Sequence, residues 1–405
     1  MPDKYKVKKW IVYRHNMDNS NFTENATGKL VDTPYNVKAF VPNPLPPQLD
    51  YSKLTIPLMN AAQAVGELKG ACHPSRIQNP YILVSPLQRR EALTSSAMEG
   101  TFTTADELIL VDAGLELNPD QSSLEVRNYL RALSETLRML QEDDLPICHK
   151  MIKTAHRILL SGVGSYRGSH RLPGEYKSDQ NAIGGRRKGI ENARFIPPPP
   201  IQASNAMDDL EAYINRPNQL DIPPLIDLAL VHYQLETIHP FSDGNGRVGR
   251  MLISLMAVER QIFESPLLYL SPELEDRKDE YIDLMLKVSM EGAWTEWVIF
   301  FLEIVEASAK ASIEVVDRLI TLQKTYREII TVSSRSTKPV LLVDRLFNSP
   351  VVTVRDVQDE FNITYRSARN TIDKLVENNI LIEVPTLYPA VFIAPKILRI
   401  ADRNE

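Results

Sequence analysis

The sequence predicts a mainly α-helical protein that carries a small β-hairpin flap and ends in a winged-helix-like domain. Two observations predict this fold class. From Leu54 onward, apolar residues recur at spacings of three and four, which is typical of helices with one buried face. The period breaks at residues 172–200, which are rich in Gly, Asn and Pro, and again near the C-terminus, where two extended runs follow the last helices.

The composition is that of a globular protein without a membrane-spanning segment. Apolar residues make up 43% of the 405 and charged residues 24%, and no apolar run approaches the roughly 18 to 20 residues of a transmembrane helix. The formal net charge of −6 argues against broad binding to nucleic acid or anionic membranes. Cys72 and Cys148 lie far apart, and the basic start lacks the apolar stretch of a secretory signal. We therefore expect a cytoplasmic protein.

Changes in composition divide the chain into four regions. The first ends in the proline-rich stretch VPNPLPPQLD, which favours extended backbone. Helical periodicity continues to about Tyr326, where the polar segment VSSRSTKP follows. The predicted regions are an extended N-terminal arm at 1–50, an N-terminal helical region at 51–140, a core at 141–326 and the winged-helix-like domain at 335–405.

The winged-helix-like domain is predicted from its element order. Three helical stretches begin near Val340, Thr353 and Thr364, and the extended runs ILIEV and AVFIA follow around a proline turn. Residues 335–405 contain ten Lys or Arg and nine Asp or Glu, so the domain lacks the positive charge that DNA phosphates require. A protein-docking or dimer-supporting role is at least as well supported as DNA binding, for which one helix offers Tyr365, Arg366, Arg369 and Asn370.

The strongest chemical signal is the loop HPFSDGNGRVGR at residues 239–250, between two predicted helices. Gly244 and Gly246 lack side chains, so a phosphate chain can approach the backbone N–H groups there. The N-terminus of the following helix also favours anions. Arg247 and Arg250 lie one turn apart, and their guanidinium groups can bind phosphate oxygens in forked pairs. This part of the loop therefore predicts a phosphate-binding site.

Two further side chains of the loop supply the parts for phosphoryl or nucleotidyl transfer. Asp243 offers a carboxylate oxygen, which suits Mg²⁺ carried by the phosphates. His239 lies at the loop entrance, and the ordinary histidine pKa of about 6.5 allows it to take a proton from an attacking hydroxyl at neutral pH. Each residue type alone is more often structural than functional. Their combination in one loop predicts phosphate-transfer chemistry.

Residues 239–250 match the pattern HxFx(D/E)GNGRxxR at every fixed position, and in this the sequence resembles the Fic family. The resemblance implies an all-helical core that binds ATP with Mg²⁺ and transfers AMP to a Ser, Thr or Tyr hydroxyl of a protein. By motif position, His239 would be the general base, Asp243 the Mg²⁺ ligand and Phe241 a core anchor. The implied nucleotide-binding set is Gly244, Asn245, Gly246, Arg247, Val248, Gly249 and Arg250.

Two positions bear further on the nucleotide. Related kinases of the family carry Lys at the position of Gly246, so the glycine favours nucleotidyl transfer over simple phosphoryl transfer. Tyr281 lies on the later helix DEYIDLMLKV, where similar proteins have a nucleotide-contacting side chain. Ordinary helix packing is the alternative interpretation of Tyr281.

An upstream segment predicts a brake on the same site. SPLQ at Ser85 has the pattern of a helix start and a glycine closes the helix, which gives residues 85–100. Within it, SSAMEG matches the family's inhibitory pattern (S/T)xxxE(G/N) through Ser95 and Glu99. The resemblance implies that Glu99 pairs with Arg250 and displaces the γ-phosphate of ATP. Because a carboxylate and a phosphate compete for one guanidinium fork, the nucleotide would bind unproductively.

The break between residues 172 and 200 contains two short extended runs around GG, which fits a hairpin or exposed flap. It resembles the family hairpin that docks a target segment by adding a strand, a mode that uses backbone groups more than side chains. A plain surface hairpin is the alternative. The residues that we assign to target docking are Asp179, Gln180, Asn181, Ala182 and Ile183.

The sequence leaves several functional alternatives open. The same loop would serve removal of AMP or transfer of another nucleotide, and the selectivity for the base depends on pocket walls that a sequence does not assemble. A nucleotide-sensing DNA-binding regulator is a hypothesis of another class. The expected partners are ATP, an unidentified target protein, the chain itself as a target, and a second copy in a homodimer.

Overall fold

The computed structural model describes residues 17–73, 81–115, 119–163, 172–184, 189–334, 336–385, 387 and 389–400. Helices dominate these segments, which confirms the predicted mainly α-helical class. The strands form two small antiparallel sheets, one of two strands near the N-terminus and one of three strands near the C-terminus. None of the helices in these segments is both long and apolar enough to cross a bilayer.

A β-hairpin lies within the region predicted as an extended arm. Its strands are β1 (Gly28–Asp32) and β2 (Lys38–Pro42). Phe40 of β2 is fully buried, contacts the Phe195 ring, and its backbone N–H donates to the Ile196 carbonyl at 2.9 Å. Residues 28–42 of the region predicted as an extended arm therefore form a packed hairpin. The sequence did not reveal the hairpin because Phe40 takes its packing partner from a segment far along the chain.

The described residues of the N-terminal helical region form four α-helices. They are α1 (Tyr51–Ala71), α2 (Tyr81–Met98), α3 (Ala105–Asp112) and α4 (Gln121–Gln141). Helix α3 begins with a capping box, in which Thr104 and Glu107 bond each other's backbone N–H groups. Helices α3 and α4 both pack against α2.

Helix α2 begins earlier than the sequence predicted. Ser85 and Pro86 lie within the helix instead of at its start. The Ser85 hydroxyl accepts a hydrogen bond of 2.6 Å from Arg89 Nη1, so it binds a side chain and not the backbone N–H that an N-cap would satisfy. The predicted end agrees with the structure, because Gly100 has a φ of +81° just after the last turn.

Seven helices form the central part of the molecule. Helix α7 is buried along its whole length, which is typical of a helix inside a domain, and it packs against α6, α8, α11 and α1. Its C-terminus therefore places His239 inside the molecule. The seven helices are α5 (His149–Leu159), α6 (Pro200–Ile214), α7 (Pro224–Ile238), α8 (Asn245–Glu259), α9 (Ser271–Asp276), α10 (Lys278–Glu291) and α11 (Trp294–Ser333).

The C-terminal elements follow the predicted order of helices and strands. Thr353 and Thr364, which the sequence placed at helix starts, are N-caps whose side chains accept from the backbone N–H groups of Asp356 and Ser367. The three-stranded sheet has the order β3–β5–β4. The elements are α12 (Lys338–Asn348), β3 (Val351–Thr353), α13 (Val354–Phe361), α14 (Tyr365–Glu377), β4 (Ile382–Val384), β5 (Val391–Ile393) and α15 (Pro395–Ile400).

The C-terminal elements share apolar cores with the N-terminal helical region. Ile109 of α3 clusters with Val391 and Ile393 of β5 and with Leu398 of α15. Helix α12 packs against both α11 and α2. The C-terminal elements therefore cover the helix that leads to Glu99.

Candidate active site

His239 lies at the C-cap of α7 in the left-handed conformation, with φ +48° and ψ +60°. Its Nδ1 lies 3.2 Å from the Glu236 carbonyl oxygen, which can only accept, so Nδ1 carries the proton and Nε2 has the free lone pair. Burial lowers the pKa of His239 to about 4, and the charge of Lys177 acts in the same direction. The imidazole is therefore neutral at pH 7, which is the state that a general base requires.

The loop after His239 is closed by its own side chains. The Asn245 carboxamide accepts from the Phe241 backbone N–H and donates to the Phe241 carbonyl, both at 2.8 Å. Phe241 is fully buried, as predicted for a core anchor. Asn245 was predicted to bind phosphate, and the structure uses its side chain to shape the loop, which leaves its backbone N–H in the first turn of α8.

His156 of α5 supports the same loop and was missed by the sequence analysis. Its ring stacks on Phe241 with centroids 3.8 Å apart. Its Nδ1 accepts from the Gly174 N–H at 2.8 Å, so Nε2 donates to the Asp243 carbonyl at 3.0 Å. Burial lowers the pKa of His156 to about 4, which keeps this arrangement neutral. No local motif marks His156, because its partners come from distant segments.

The first turn of α8 offers a place for an anion. Gly244 is the N-cap with φ +76°, and the first N–H groups of a helix lack intrahelical partners. The Asp243 carboxylate accepts from the Gly244 N–H at 2.6 Å, and its side chain is 42% exposed. Burial raises the pKa of Asp243, while Arg247 lowers it by less. Asp243 therefore presents a partly exposed oxygen donor beside this turn.

Glu99 and Arg250 form the ion pair that the sequence predicted. Glu99 Oε1 lies 2.8 Å from Arg250 Nη2. Arg250 also donates through Nε to the Ser95 hydroxyl and through Nη2 to the Ser95 carbonyl, each at 2.8 Å. Although burial acts to raise the pKa of Glu99, the Arg250 charge lowers it overall. The Arg250 side chain is buried, and its guanidinium donates to Ser95 of α2 and to Glu99, the residue that follows α2.

Two glycines of α8 make room for carboxylates beside Arg250. A Cβ on Gly246 would stand 2.2 Å from Glu99 Oε1, and one on Gly249 would stand 2.2 Å from Glu236 Oε1. Glu236 is buried, and burial raises its pKa to about 7. The sequence assigned both glycines to nucleotide binding and gave no role to Glu236. In the structure, the space beside each of these glycines is occupied by a glutamate side chain.

Arg247 makes a second buried ion pair that the sequence did not predict. Its Nη1 lies 2.9 Å from Glu125 Oε2 on α4, and both side chains are almost fully buried. Thr101 donates to the same Glu125 oxygen at 2.9 Å. The remaining Arg247 Nη2 lies 3.8 Å from Asp243 Oδ1. Arg247 was predicted to bind phosphate. In the structure, its Nη1 is paired with Glu125, and its Nη2 lies on the side of the loop.

A cavity of about 290 Å³ brings together part of the predicted site. Tyr281 is buried, its ring lines the cavity, and its hydroxyl lies 3.0 Å from His232 Nε2. Val248 packs in the core instead. The predicted residues on the cavity wall are Glu99, Ile183, His239, Gly246, Arg250 and Tyr281, whereas Asp243, Gly244, Asn245, Arg247, Val248 and Gly249 lie outside it.

The segment assigned to target docking is bonded to the site loop. The Asn181 amide donates to the carbonyls of His239 at 3.0 Å and Phe241 at 2.9 Å. Gln180 donates to the Pro197 carbonyl at 2.8 Å, and Ile183 forms a single antiparallel bridge with Phe195. Among the described residues, the structure therefore shows one bridge in the segment where the sequence predicted a hairpin, and residues 185–188 of that segment lie outside the described residues. Asp179 and Ala182 are exposed.

The region that contains this site resembles known proteins. The sequence profile described as the Fic/DOC family matches residues 146–257, and the profile of the Fic/DOC family N-terminal region matches residues 56–138. Relatives named protein adenylyltransferase Fic include those of Drosophila melanogaster, 29% identical over 168 residues, and Aedes aegypti, 30% identical over 142 residues. These alignments cover 40% and 34% of this chain and only 30% and 26% of the relatives.

Solved structures share the fold at low identity. A Fic family protein from Desulfovibrio desulfuricans G20 aligns with a TM-score of 0.54 at 19% identity, over 86% of this chain and 98% of that one. A Fic domain containing signaling protein from Bacteroides thetaiotaomicron VPI-5482 aligns with a TM-score of 0.51 at 18% identity, over 64% and 97%. The two profile matches, together with the loop at residues 239–250, show that residues 146–257 are a Fic/DOC family domain and that residues 56–138 are the N-terminal region of the same family.

Proposed function

We propose that this protein transfers AMP from ATP to a Ser, Thr or Tyr hydroxyl of a target protein and that Glu99 holds it inactive. The observation that carries the proposal is the 2.8 Å contact of Glu99 with Arg250, on the wall of the cavity that His239 also lines. The relatives named protein adenylyltransferase Fic support the reaction class.

In the proposed reaction, His239 is the general base. The target hydroxyl oxygen attacks the α-phosphorus of ATP, and its proton passes to His239 Nε2. The bond from the α-phosphorus to the bridging oxygen breaks, and pyrophosphate leaves. The low pKa of His239 keeps the imidazole ready to accept the proton, which then passes to solvent.

The first turn of α8 would bind the phosphates through its free backbone N–H groups. Asp243 is the residue that would hold Mg²⁺, because its carboxylate is a partly exposed oxygen donor. The ion would neutralise phosphate charge. Within the described segments, no group of three or more His, Cys, Asp or Glu side chains is arranged to hold a metal. One carboxylate fits an ion that arrives with the nucleotide, since Mg²⁺ is often bound by one or two carboxylates and the substrate phosphates.

The brake follows from competition for Arg250. A γ-phosphate needs the guanidinium nitrogens that Glu99 and Ser95 occupy. Arg250 is buried, so it cannot serve both anions by moving into solvent. Removal of the Glu99 carboxylate would free for the nucleotide the Nη2 N–H of Arg250 that Glu99 accepts from, although the Ser95 carbonyl also accepts from Nη2.

The test is incubation with α-labelled ATP and Mg²⁺, followed by autoradiography and mass spectrometry. We compare the wild type, Glu99→Gly, and Glu99→Gly combined with His239→Ala. We expect AMP on protein only with Glu99→Gly, because this variant alone combines a free Arg250 with an intact base. Absence of label from all three chains, with ATP binding confirmed by calorimetry and candidate targets present, would contradict the proposal.

Removal of AMP, or transfer of another nucleotide, is the alternative on the same site, since the base and the phosphate site would serve either reaction. Incubation of an AMP-modified target with the wild type tests the reverse reaction, and competition among labelled ATP, GTP, CTP and UTP tests base selectivity. Release of AMP by the wild type under conditions where Glu99→Gly does not release it would favour the reverse reaction.

A nucleotide-sensing DNA-binding regulator is less well supported by the contacts of α14. Arg369 lies 2.9 Å from Asp373 Oδ1 and 3.6 Å from Glu383 Oε2, so two carboxylates oppose its charge. Tyr365 is exposed on the same helix. Salt-dependent binding of a specific duplex by the purified chain would revive this hypothesis.

We further propose that residues 335–405 form a winged-helix module, that the chain forms a homodimer, and that it resides in a reducing compartment such as the cytoplasm. The helix and strand order after Ser333 supports the module. The chain has only two cysteines, Cys72 and Cys148, which lie far apart in the sequence, and this cysteine usage fits the compartment. Light scattering of the purified chain tests the dimer, and a monomer at micromolar concentration would exclude it.

A further inference from the structure

Lys177 is a buried lysine with an unusual set of partners. Its side chain is almost fully enclosed, and its Nζ donates to the His239 carbonyl at 3.0 Å and to Asn181 Oδ1 at 2.7 Å. Its backbone N–H donates to the Pro240 carbonyl at 2.8 Å. These acceptors are all neutral, and burial lowers the pKa of Lys177 to about 7. A buried ammonium group on neutral acceptors is costly, so its position calls for a functional reason.

The acceptor that Lys177 shares with Asn181 is the carbonyl of His239. The Asn181 amide donates to this oxygen at 3.0 Å and to the Phe241 carbonyl at 2.9 Å. His239 has a left-handed backbone with a φ of +48°, which is disfavoured for an L-residue relative to the right-handed form. Two donors on one carbonyl oppose relaxation to the right-handed form.

We propose that Lys177 is a positioning residue that, together with Asn181, holds His239 in the orientation needed for proton abstraction. The two side chains form a clamp on the turn between α7 and the loop, and they act through the His239 backbone and not by touching the substrate. Lys177 does not line the nucleotide cavity, so its loss is expected to affect the base and not ATP binding. The catalytic part of this inference rests on the proposed function, whereas the clamp on His239 does not.

The charge of Lys177 also acts on the imidazole. Burial lowers the pKa of His239 most, Lys177 lowers it further, and Glu99, which follows α2, acts in the opposite direction. The other charged groups that share the cavity wall with His239 are Glu236 of α7, Arg250 of α8, Lys278 of α10 and Arg194. Removal of the Lys177 charge is therefore expected to raise the pKa of His239 and to increase its protonated fraction in mildly acidic solution.

The test uses the full chain with Glu99→Gly as the active parent. Lys177→Met removes the donors and the charge, whereas Lys177→Arg keeps both. Lys153→Met is the matched control, because Lys153 is a nearby lysine that pairs with Glu175 at 3.1 Å and makes none of the contacts of the clamp. The readouts are kcat and KM for ATP, the pH titration of the His239 ring by NMR, and the midpoint of thermal unfolding.

We expect Lys177→Met to lower kcat at least about tenfold, because displacement of a catalytic group by about 1 Å costs up to about a hundredfold. The KM for ATP is expected to stay within about twofold of the parent value. The reason is that Lys177 does not line the cavity, so its loss should not change ATP binding. The His239 pKa rises in Lys177→Met and returns toward the parent value in Lys177→Arg. Lys153→Met matches the parent in all readouts.

Two results would overturn the clamp. One is a folded Lys177→Met variant whose kcat and His239 titration equal those of the parent. The other is a loss of thermal stability and activity that Lys177→Arg does not restore, with an unchanged His239 titration, because that combination indicates a packing role only. If the parent itself transfers no AMP, the proposed reaction fails while the NMR titration still decides whether Lys177 acts on His239.

Discussion

At the scale of single residues, the site depends on charges that are paired away from water. Arg247 pairs with Glu125 and Arg250 with Glu99, so both arginines of the loop are held by carboxylates from the N-terminal helical region. The pairs differ in exposure. Glu125 is almost fully buried, whereas the Glu99 side chain is 36% exposed. The buried Glu125 is therefore suited to hold Arg247 in place, whereas the partly exposed Glu99 is suited to move away from Arg250.

Glu125→Ala is expected to destabilise the fold by about 3–5 kcal/mol, because it leaves the Arg247 charge buried without its partner. The measurement is the free energy of unfolding in urea. Glu135→Ala on the same helix is the matched control. Its pair with Arg138 is 38% and 42% exposed, so its loss is expected to cost less than about 1 kcal/mol. Equal losses for the two variants would contradict the fixing role of Glu125.

At the scale of elements, α2 and α8 face each other across the brake. Helix α2 and the residue after it bring Ser95 and Glu99, four residues apart, onto one side, and α8 presents Arg250 beside Gly246 and Gly249. Gly246 was expected to admit phosphate, and the structure shows that its missing Cβ also admits the Glu99 carboxylate. The same gap on α8 would therefore serve the inhibited and the active state in turn.

Ser95→Ala is expected to release the brake in part. Ser95 gives Arg250 a hydroxyl acceptor at 2.8 Å, and its removal leaves the buried Nε unpaired, which weakens the inhibited state by about 1–3 kcal/mol. AMP labelling should fall between that of the wild type and that of Glu99→Gly. Ser96→Ala is the control, since Ser96 is equally buried and its hydroxyl has no hydrogen-bond partner among the described residues. If Ser95→Ala shows no more AMP labelling than Ser96→Ala, the Ser95 hydroxyl does not contribute to the inhibition.

At the scale of the whole molecule, the C-terminal elements take part in the environment of the brake. Helix α12 packs on α2, and the cluster of Ile109, Val391, Ile393 and Leu398 joins α3 to the C-terminal sheet and α15. Helix α3 follows α2 after a short connection that contains Gly100. Loosening of the C-terminal packing should therefore reach the helix that presents Glu99.

Leu398→Ala is expected to cost about 2–5 kcal/mol, as for other buried leucines, and to raise the hydrogen exchange of α2. AMP labelling by the otherwise wild-type chain should rise with it. Ile382→Ala is the control, because Ile382 is 47% exposed on β4. Faster exchange in the C-terminal elements without any change in α2 would show that the two regions are not coupled.

The features from which the sequence predicted the site are encoded at short spacing. The loop at residues 239–250 is continuous in the chain, and Ser95 and Glu99 lie one helical turn apart, so their order alone indicates a shared face. The end of α2 and the caps at Thr353 and Thr364 were predictable for the same reason, since capping depends on neighbouring backbone groups.

The start of α2 and the hairpin at β1 and β2 were not predictable in this way. Ser85 and Pro86 have the composition of a helix start, yet Ser85 bonds the Arg89 side chain inside the helix. Phe40 takes a fully buried position only because Phe195 and Ile196 lie beside it in the fold. In both cases the deciding partner is a side chain or segment whose position the local pattern does not specify.

The sequence by itself determined the helical class and the order of polar residues in the loop at 239–250, and it predicted a shared helical face for Ser95 and Glu99, because each depends on residues within a few positions of one another. Only the tertiary structure decided which groups support them. Glu125, His156, Lys177 and Glu236 belong to common residue types without a motif, and their roles arise from burial beside partners that are mostly distant in the chain. Burial makes pairing obligatory and shifts pKa values, and burial is a property of the packed molecule.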